Sequence, residues 1–408
     1  MMRLSTATAV GCVAALVLGA CASQPPHTAP LPTSASLTSR LAGAQRVLDS
    51  AIAAGATPGA VLAVSIKGER FVYGSGKLGV GDDSRPSGST LYDMASLTKV
   101  IVLTTIAMEA VEEGRLDLDT PVVNYLPDFA RGTGDKGHVT VRDLLLHDSG
   151  LPAHRPLWKE TFVRKGAILR TITSDLVTPP GTEMVYSDLG AITLTTILEK
   201  LYHRRIDQLF AERVSKPLGL GRMRYLPPKG WRREIAPTEN DPWRGRILRG
   251  EVHDENAGRL GGVSGHAGLF ASAEDLLRFG EWALAGSLGR SLPNDPTPPR
   301  EFATWTIKQD HPKGSSRGLG WDTPSGVSSA GSIMSARSFG HTGFTGTSIW
   351  VDPTREVVIV LLTNRVNPTR NTPKFGLIRA VVADAVMRGL FPGEPPREPA
   401  SPARRSSN

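Results

Sequence analysis

Apolar positions recur along this chain in two periods, and the switches between them mark out its elements. Leu37, Leu41, Ala44, Val47, Leu48, Ala51 and Ile52 stand three and four apart, which predicts a first helix over about 38–54. Residues 60–66 and 70–74 are apolar, β-branched or aromatic, with Lys67-Gly68 between them, the signature of a hairpin. Residues 97–111 are apolar almost throughout and read as a buried helix. From about 115 to 260 short apolar patches are broken by Pro and Gly, with helical readings at 143–146, 191–202 and 207–214. Ser272-x-x-Asp275 caps a further helix carrying Leu276, Leu277, Phe279 and Leu284 on one side. Residues 338–351 mix Thr and Gly with aromatic and β-branched positions, 356–363 is a buried strand, and 373–391 is a closing helix. Strands at both ends with a helical insertion between them predict an α/β (α+β) fold. One sheet, built from both ends and flanked by helices, is joined by a mostly helical lobe, with a ligand cleft between the lobes.

The ends of the chain follow a different pattern. Arg3 precedes a small, apolar stretch over 6–20, and Leu18-Gly19-Ala20-Cys21 is similar to a bacterial lipobox. The stretch is too short for a comfortable membrane span. It reads as a signal peptide over 1–20, with lipid on the Cys21 sulfur after cleavage. The expectation is an exported lipoprotein, held on the periplasmic or extracellular face of a membrane. The alternative is ordinary cleavage nearby, with Cys21 incidental. Cys12 and Cys21 are the only two cysteines, and cleavage before Cys21 removes Cys12. No disulfide can then form within one mature chain, so the fold must hold through its core alone. Residues 22–33 contain four prolines, which makes 21–37 a spacer. Residues 392–408 are Pro, Ser, Arg and Glu and are expected to be disordered. That leaves one domain over 38–391, divided into an α/β lobe (about 38–98 and 262–391) and a helical lobe (about 99–261).

The chain of 408 residues holds 47 Lys+Arg against 39 Asp+Glu, a net charge of +8. A basic surface attracts anionic polymers. No Arg/Lys run interleaved with aromatics is present, and export argues against nucleic acid, so a solvated basic surface is the expectation. A monomer is expected.

Lys99 is the only lysine with a serine three residues before it, at the head of the apolar run 97–111. Positions i and i+3 share a helix face. Ser96 and Lys99 can therefore meet, and a lysine under an apolar wall can activate a serine. To act as base at neutral pH its pKa would have to fall from about 10.4 to about 7, through burial and the positive end of the helix. The alternative, a surface lysine beside a capping serine, is disfavoured by Met94, Ala95, Leu97 and Val100. Of six tyrosines only Tyr186 has an Asp or Asn two positions on, in Tyr186-Ser187-Asp188. Tyr186 offers a phenolate base or proton relay, and Asp188 a group to orient Lys99 or a substrate amide. Alone, the triplet reads as a core tyrosine and a turn aspartate. In His341-Thr342-Gly343-Phe344, glycine lets substrate backbone approach a strand edge. The Phe344 N–H, with that of Ser96, offers an oxyanion hole. The plain alternatives are a strand histidine with a satisfied hydrogen bond and turn glycines.

In this order, Ser-x-x-Lys, Tyr-x-Asp and His-Thr-Gly resemble the serine β-lactamase and penicillin-binding-protein superfamily, in its class C-like branch of esterases and D-amino-acid peptidases. Residues 94–99, 144–151 and 265–270 look like that branch too, and the resemblance covers about 38–391. It implies the β-lactamase/transpeptidase-like fold with a mainly antiparallel sheet. It also implies an acylated Ser96, base work shared by Lys99 and Tyr186, and substrate contacts from Asp188, His341, Thr342, Gly343 and Phe344. Asp188 stands where the family usually has asparagine, and His341 where many members have lysine. A mostly neutral histidine holds carboxylates less firmly than lysine, and Asp188 adds a negative charge. Both departures point away from tight binding of penicillin-type carboxylates and toward esterase or peptidase-like members, with room for weak β-lactam hydrolysis. Residues 235–239 and 252–257 look like a sub-branch that trims peptidoglycan fragments, including amidases that cut between muramic acid and L-alanine. His253, Asp254 and Glu255 either line a site wall or cap a helix. The expected substrate is a small ester, a peptide or a muropeptide, with no metal or organic cofactor.

Three competing readings are weaker. Gly314-Ser315-Ser316-Arg317-Gly318 matches G-x-S-x-G but lacks the strand before and the helix after that the motif requires. Gly74-x-Gly76-x-x-Gly79 follows a strand, but no helix follows it, which argues against a dinucleotide site. No H-E-x-x-H or paired histidine spacing supports a metal hydrolase. A non-catalytic binding lipoprotein of the same fold remains the rival of another class.

Overall fold

In the structure, a computed structural model, residues 36–397 are described. The expected signal peptide, Cys21, the spacer up to residue 35 and the last part of the tail lie outside the described residues. The first helical pattern forms α1 (Ala42–Ala53), preceded by a separate turn, Leu37–Arg40. One helix over 38–54 was expected, but the backbone at Leu41 leaves helical geometry (φ −93, ψ 4). β1 (Gly59–Ile66) and β2 (Glu69–Gly76) form the hairpin. Lys67 and Gly68 both take positive φ, the turn geometry whose twist matches the two strands.

The apolar run after Ser96 is helical but not regular. Lys99–Thr104 is wound as a π-helix before α2 (Thr105–Glu112) resumes α geometry. Insertions of this kind concentrate at functional sites. With α3 (Val141–Leu146) and α4 (Asp188–Tyr202), these segments build the helical region around Leu103, Ile106, Leu144, Leu194 and Ile197. The chain then returns through α5 (Ala273–Ser287), capped by Ser272 as its pattern requires. It continues as β3 (Phe339–Thr342), β4 (Ser348–Asp352), β5 (Val357–Thr363) and α6 (Ile378–Leu390).

The five strands lie in the order β2-β1-β5-β4-β3, all antiparallel. β1 and β5, from opposite ends of the chain, are central neighbours with Leu62 opposite Leu361. Both are buried at every position because both sheet faces are covered. Side chains alternate between faces, so Leu62, Val64, Ile359 and Leu361 meet α1 and α6. Val61, Ala63, Val358 and Val360 join the larger core with α5. A Cβ at Gly280 of α5 would lie 2.5 Å from Val358, so that glycine sets how closely α5 packs on the sheet. The architecture is the expected antiparallel sheet flanked by helices, with a mostly helical region beside it.

The closing helix begins at Ile378 rather than near 373. A 3-10 turn at Pro373–Phe375 and Gly376 (φ 26) intervene. The tail was expected to be free from residue 392, yet Arg397 is tied down. Its N–H donates to Ser332 O (2.6 Å), and its guanidinium to Met334 O (2.6 Å) and Gly331 O (2.9 Å).

Candidate active site

Ser96 follows a short strand, Tyr92–Asp93, at a sharp turn into the π-wound segment. Ala95, just before it, takes φ 46, a conformation that costs energy for a residue with a Cβ. Buried Asp93 stabilises the turn: one carboxylate oxygen accepts the Ala95 N–H (2.8 Å) and the other the His253 N–H (2.6 Å). The Thr345 hydroxyl donates to Asp93 O (2.7 Å) and that of Thr347 to Met94 O (3.2 Å), clamping the turn to the β3–β4 connection. Gly343 is required by this clamp. A Cβ there would lie 2.2 Å from Thr347 Oγ1 and 2.5 Å from Met94 O. Gly343 also lines the cleft, and beside the expected approach of substrate the protein's own nucleophile turn requires it.

Lys99 Nζ lies 3.2 Å from Ser96 Oγ, 2.7 Å from Asp188 Oδ1 and 3.2 Å from His266 O. It also lies 4.9 Å from the Tyr186 ring centroid. Burial pushes its pKa down, but the Asp188 carboxylate and Tyr186 outweigh burial and hold it above the ordinary lysine value. The expected neutral amine is thus overturned, and Lys99 is an ammonium. The negative charge expected at Asp188 is met by Lys99 at 2.7 Å. Asp188 opens α4, whose first turn is fixed by the Ser187 hydroxyl accepting from Gly190 N–H and donating to Pro152 O. Of the two partners considered for Asp188, the structure gives it Lys99.

The Tyr186 ring packs between His147 (centroids 4.5 Å apart) and His341 (5.8 Å), with the Arg317 guanidinium 5.2 Å from its centroid. Its hydroxyl has no hydrogen-bond partner among the described residues. Both histidines are buried. Burial first, then the positive charges of Arg317 and Lys99, push their pKa values well below the ordinary range, so both rings are neutral. His147 Nδ1 accepts the Ser187 N–H (3.1 Å). His341 donates through Nδ1–H to Thr342 O (2.8 Å), which leaves Nε2 as a buried lone pair without a partner.

Neither the Ser96 nor the Phe344 N–H is taken up by an acceptor among the described residues. Two free donors of this kind suit a developing oxyanion. Arg365 Nε holds Phe344 O at 2.7 Å, and the Phe344 ring stacks on His253. Ser96, Tyr186, His341, Thr342, Gly343 and Phe344 line one cleft of about 490 Å³. Arg317, Arg365 and Arg379 line it as well.

His253, Asp254 and Glu255 are not among the cleft-lining residues. Asp254 caps the helix Glu255–Arg259 by accepting the Ala257 N–H, and holds His266 Nε2 at 2.8 Å. The His266 carbonyl in turn accepts from Lys99. His253 and Glu239 form a buried pair at 2.9 Å, and Arg370 ties Glu239 to Glu255. These residues support the site from behind. Ser316 of the G-x-S-x-G match donates to Asp322 Oδ1 (2.8 Å) in a loop, as expected. Sequence reasoning passed over its neighbour Arg317, and also His147, Arg365 and Arg379. Among the described residues no group of three or more His, Cys, Asp or Glu is placed to hold a metal ion.

A model of the β-lactamase family matches residues 44–383, and the chain belongs to that family of serine hydrolases. The expected kinship with the serine β-lactamase and penicillin-binding-protein superfamily holds. An Escherichia coli (strain K12) protein provisionally named a D-alanyl-D-alanine carboxypeptidase is 32% identical over 305 residues, 68% of this chain and 69% of that one. The N-acetylmuramyl-L-alanine amidase of Bacillus subtilis (strain 168) is 32% identical over 366 residues, 80% of this chain and 81% of its own. Among solved structures, EstCE1, a hydrolase with promiscuous acyltransferase activity, gives a TM-score of 0.69 at 22% identity, over 85% of this chain and 98% of that one. That likeness is one of fold.

Proposed function

We propose that this protein hydrolyses an amide or ester of a cell-wall fragment through an acyl-enzyme on Ser96. The observation that carries the reading is the meeting of Ser96 Oγ with the buried, ion-paired Lys99, beside an unpartnered Tyr186 hydroxyl. The reaction starts once the Tyr186 hydroxyl has given its proton to solvent: Ser96 Oγ then attacks the carbonyl carbon and its proton passes to the Tyr186 oxygen, beside Lys99 and Arg317. The carbonyl oxygen takes the electron pair and is held by the Ser96 and Phe344 N–H groups. The scissile C–N or C–O bond then breaks, and Tyr186 gives its proton to the departing atom. In the second half water attacks the acyl carbon, Tyr186 takes its proton, and Ser96 recovers it as the acyl–oxygen bond breaks. Lys99 remains an ammonium throughout, positioning Oγ and offsetting charge. Neutral His341 and His147 exclude water around the phenol without competing for the proton.

The amidase from Bacillus subtilis, similar over most of both chains, supports a muropeptide substrate. Residues 18–21 support an exported, lipid-anchored site of action. The test sets p-nitrophenyl esters, a chromogenic cephalosporin, D-alanyl peptides and muramyl-L-alanine side by side. The reading expects turnover of muramyl-L-alanine or D-alanyl amides that disappears in Ser96→Ala. Turnover that persists in Ser96→Ala, or that EDTA abolishes and zinc restores, would overturn it.

A further inference from the structure

We infer that Asp148 and His311 are positioning residues, which latch the segment 309–317 against the turn before Tyr186 and so hold Arg317 over the phenol ring. This rests on the acyl-enzyme reading and adds two residues to the same site.

The Arg317 side chain does not fix its own place. Its guanidinium lies 5.2 Å from the Tyr186 ring centroid, yet its Nε and Nη1 are buried without a hydrogen-bond partner among the described residues. Its position must therefore come from the backbone that carries it. That backbone is a closed loop. The Gln309 N–H donates to Arg317 O (2.8 Å) at its base, the Ser315 N–H to Pro312 O (2.9 Å) within it, and the Arg317 N–H to the Ser315 hydroxyl (3.2 Å). Where His311 is held, Arg317 is held with it.

His311 is held by an acid in an unusual setting. Asp148 is fully buried. Its Oδ2 accepts from His311 Nδ1–H at 2.7 Å, and its Oδ1 has no partner among the described residues. Burial pushes the Asp148 carboxyl up to about 6, and His311 pulls the other way. A buried carboxylate with one oxygen unmet costs stability, so the bond to His311 is the tie that this acid supplies. The His311 side chain is 55% exposed, and the pair is where the loop meets the core. The imidazole also covers the turn that leads to Tyr186: a Cβ at Gly181 would lie 3.4 Å from His311 Cε1.

These connections close a circuit. Asp148 O accepts the Gly181 N–H (2.8 Å) and His147 O the Val185 N–H (2.7 Å), so residues 147 and 148 hold both ends of 181–185. Tyr186 is then reached directly through the His147 ring, and by a second route through Asp148, His311 and Arg317. Beyond Arg317 the chain is tied again, Leu319 N–H to Trp305 O (2.9 Å) and Gly320 N–H to Leu145 O (3.1 Å). Cutting the latch therefore leaves the fold and the phenol in place and frees Arg317.

The test is a double-mutant cycle in the full-length protein. The rate at which a fluorophosphonate labels Ser96 reads the attack of the serine, and hydrolysis of p-nitrophenyl butyrate gives kcat and KM. His311→Ala should slow labelling by roughly 10-fold and lower kcat with KM unchanged. Asp148→Ala should match it, whereas Asp148→Asn, whose amide oxygen still accepts from His311, should keep most of the rate. With Arg317→Gln already present, His311→Ala should cost nothing further, because it acts through Arg317. The half-exposed His311 keeps the cycle readable if Asp148→Ala does not fold. An unchanged rate in His311→Ala, the same loss with Arg317 already replaced, or an Asp148→Asn as slow as Asp148→Ala would overturn the inference. A labelled Ser96 with additive losses removes the latch alone. Folded, unaltered protein whose Ser96 takes no label removes the acyl-enzyme reading, and the latch with it.

Discussion

Two sets of buried cations at the site treat charge in opposite ways. On the Ser96 wall the buried cation is matched inside the chain: Lys99 sits against Asp188 at 2.7 Å and donates to the serine it serves. Elsewhere around the cleft Arg317 and Arg379 keep buried nitrogens unmatched. A charge answered within the fold can hold fixed geometry through every step of a reaction. An unanswered charge costs stability until something enters to meet it, so it suits recognition. The contrast separates the charge matched within the fold from the charges left open around the cleft.

The largest effect that sharpens this division belongs to Ser96→Ala. We expect turnover of every substrate to fall by at least about 10⁴-fold, with unchanged circular dichroism and unchanged substrate binding by calorimetry. Loss of binding together with turnover would mean that Ser96 serves recognition as well as chemistry. Lys99→Ala should cost at least about 100-fold in kcat.

Asp188→Asn probes the matching itself. With the carboxylate gone, burial is the main influence left on Lys99 and lowers its pKa. The kcat/KM profile of the variant should then lose activity with rising pH at a lower pH than the unaltered protein. An identical profile would mean that Asp188 does not set the charge of Lys99. Gly343→Ala should disturb the Ser96 turn, because its Cβ would press on Met94 O and Thr347 Oγ1. A loss of about 1–3 kcal/mol in urea unfolding is expected, together with a lower kcat.

The smallest effect concerns support behind the cleft. Burial pushes the Glu239 pKa up, but His253 and Arg370 outweigh burial and bring it down to about 2. A depressed carboxyl contributes stability that is present above its ordinary value and lost as pH falls through the folded value. The stability Glu239 adds should therefore fade between about pH 4.5 and about pH 2. Glu239→Gln, less stable at pH 7, should lack that component in acid denaturation followed by fluorescence.

The same contrast explains what the sequence revealed. Ser96 and Lys99 are one turn apart, Tyr186 and Asp188 two residues apart, and His341, Thr342 and Gly343 consecutive. Each cluster is local, so spacing alone was enough to pick it out. The arginines come from a loop at 317, the end of β5 at 365 and the first turn of α6 at 379. Nothing local distinguishes them from solvated arginines, and only the packing of α6 and that loop beside β3 brings them together. The sheet was legible because its two central strands are apolar on both faces. The break at Leu41, the π-winding over Lys99–Thr104 and the late start of α6 were not, since tertiary contacts and one glycine impose them. The charge of Lys99 was misjudged for the same reason, because it is decided by a residue on another helix.

The central claim is that Ser96 is acylated during turnover, and intact-protein mass spectrometry of the enzyme quenched during steady-state hydrolysis tests it most directly. The account predicts a single acyl adduct that peptide mapping places on Ser96 and that is absent in Ser96→Ala. Hydrolysis with no adduct on Ser96, or an adduct placed on another residue, would contradict it.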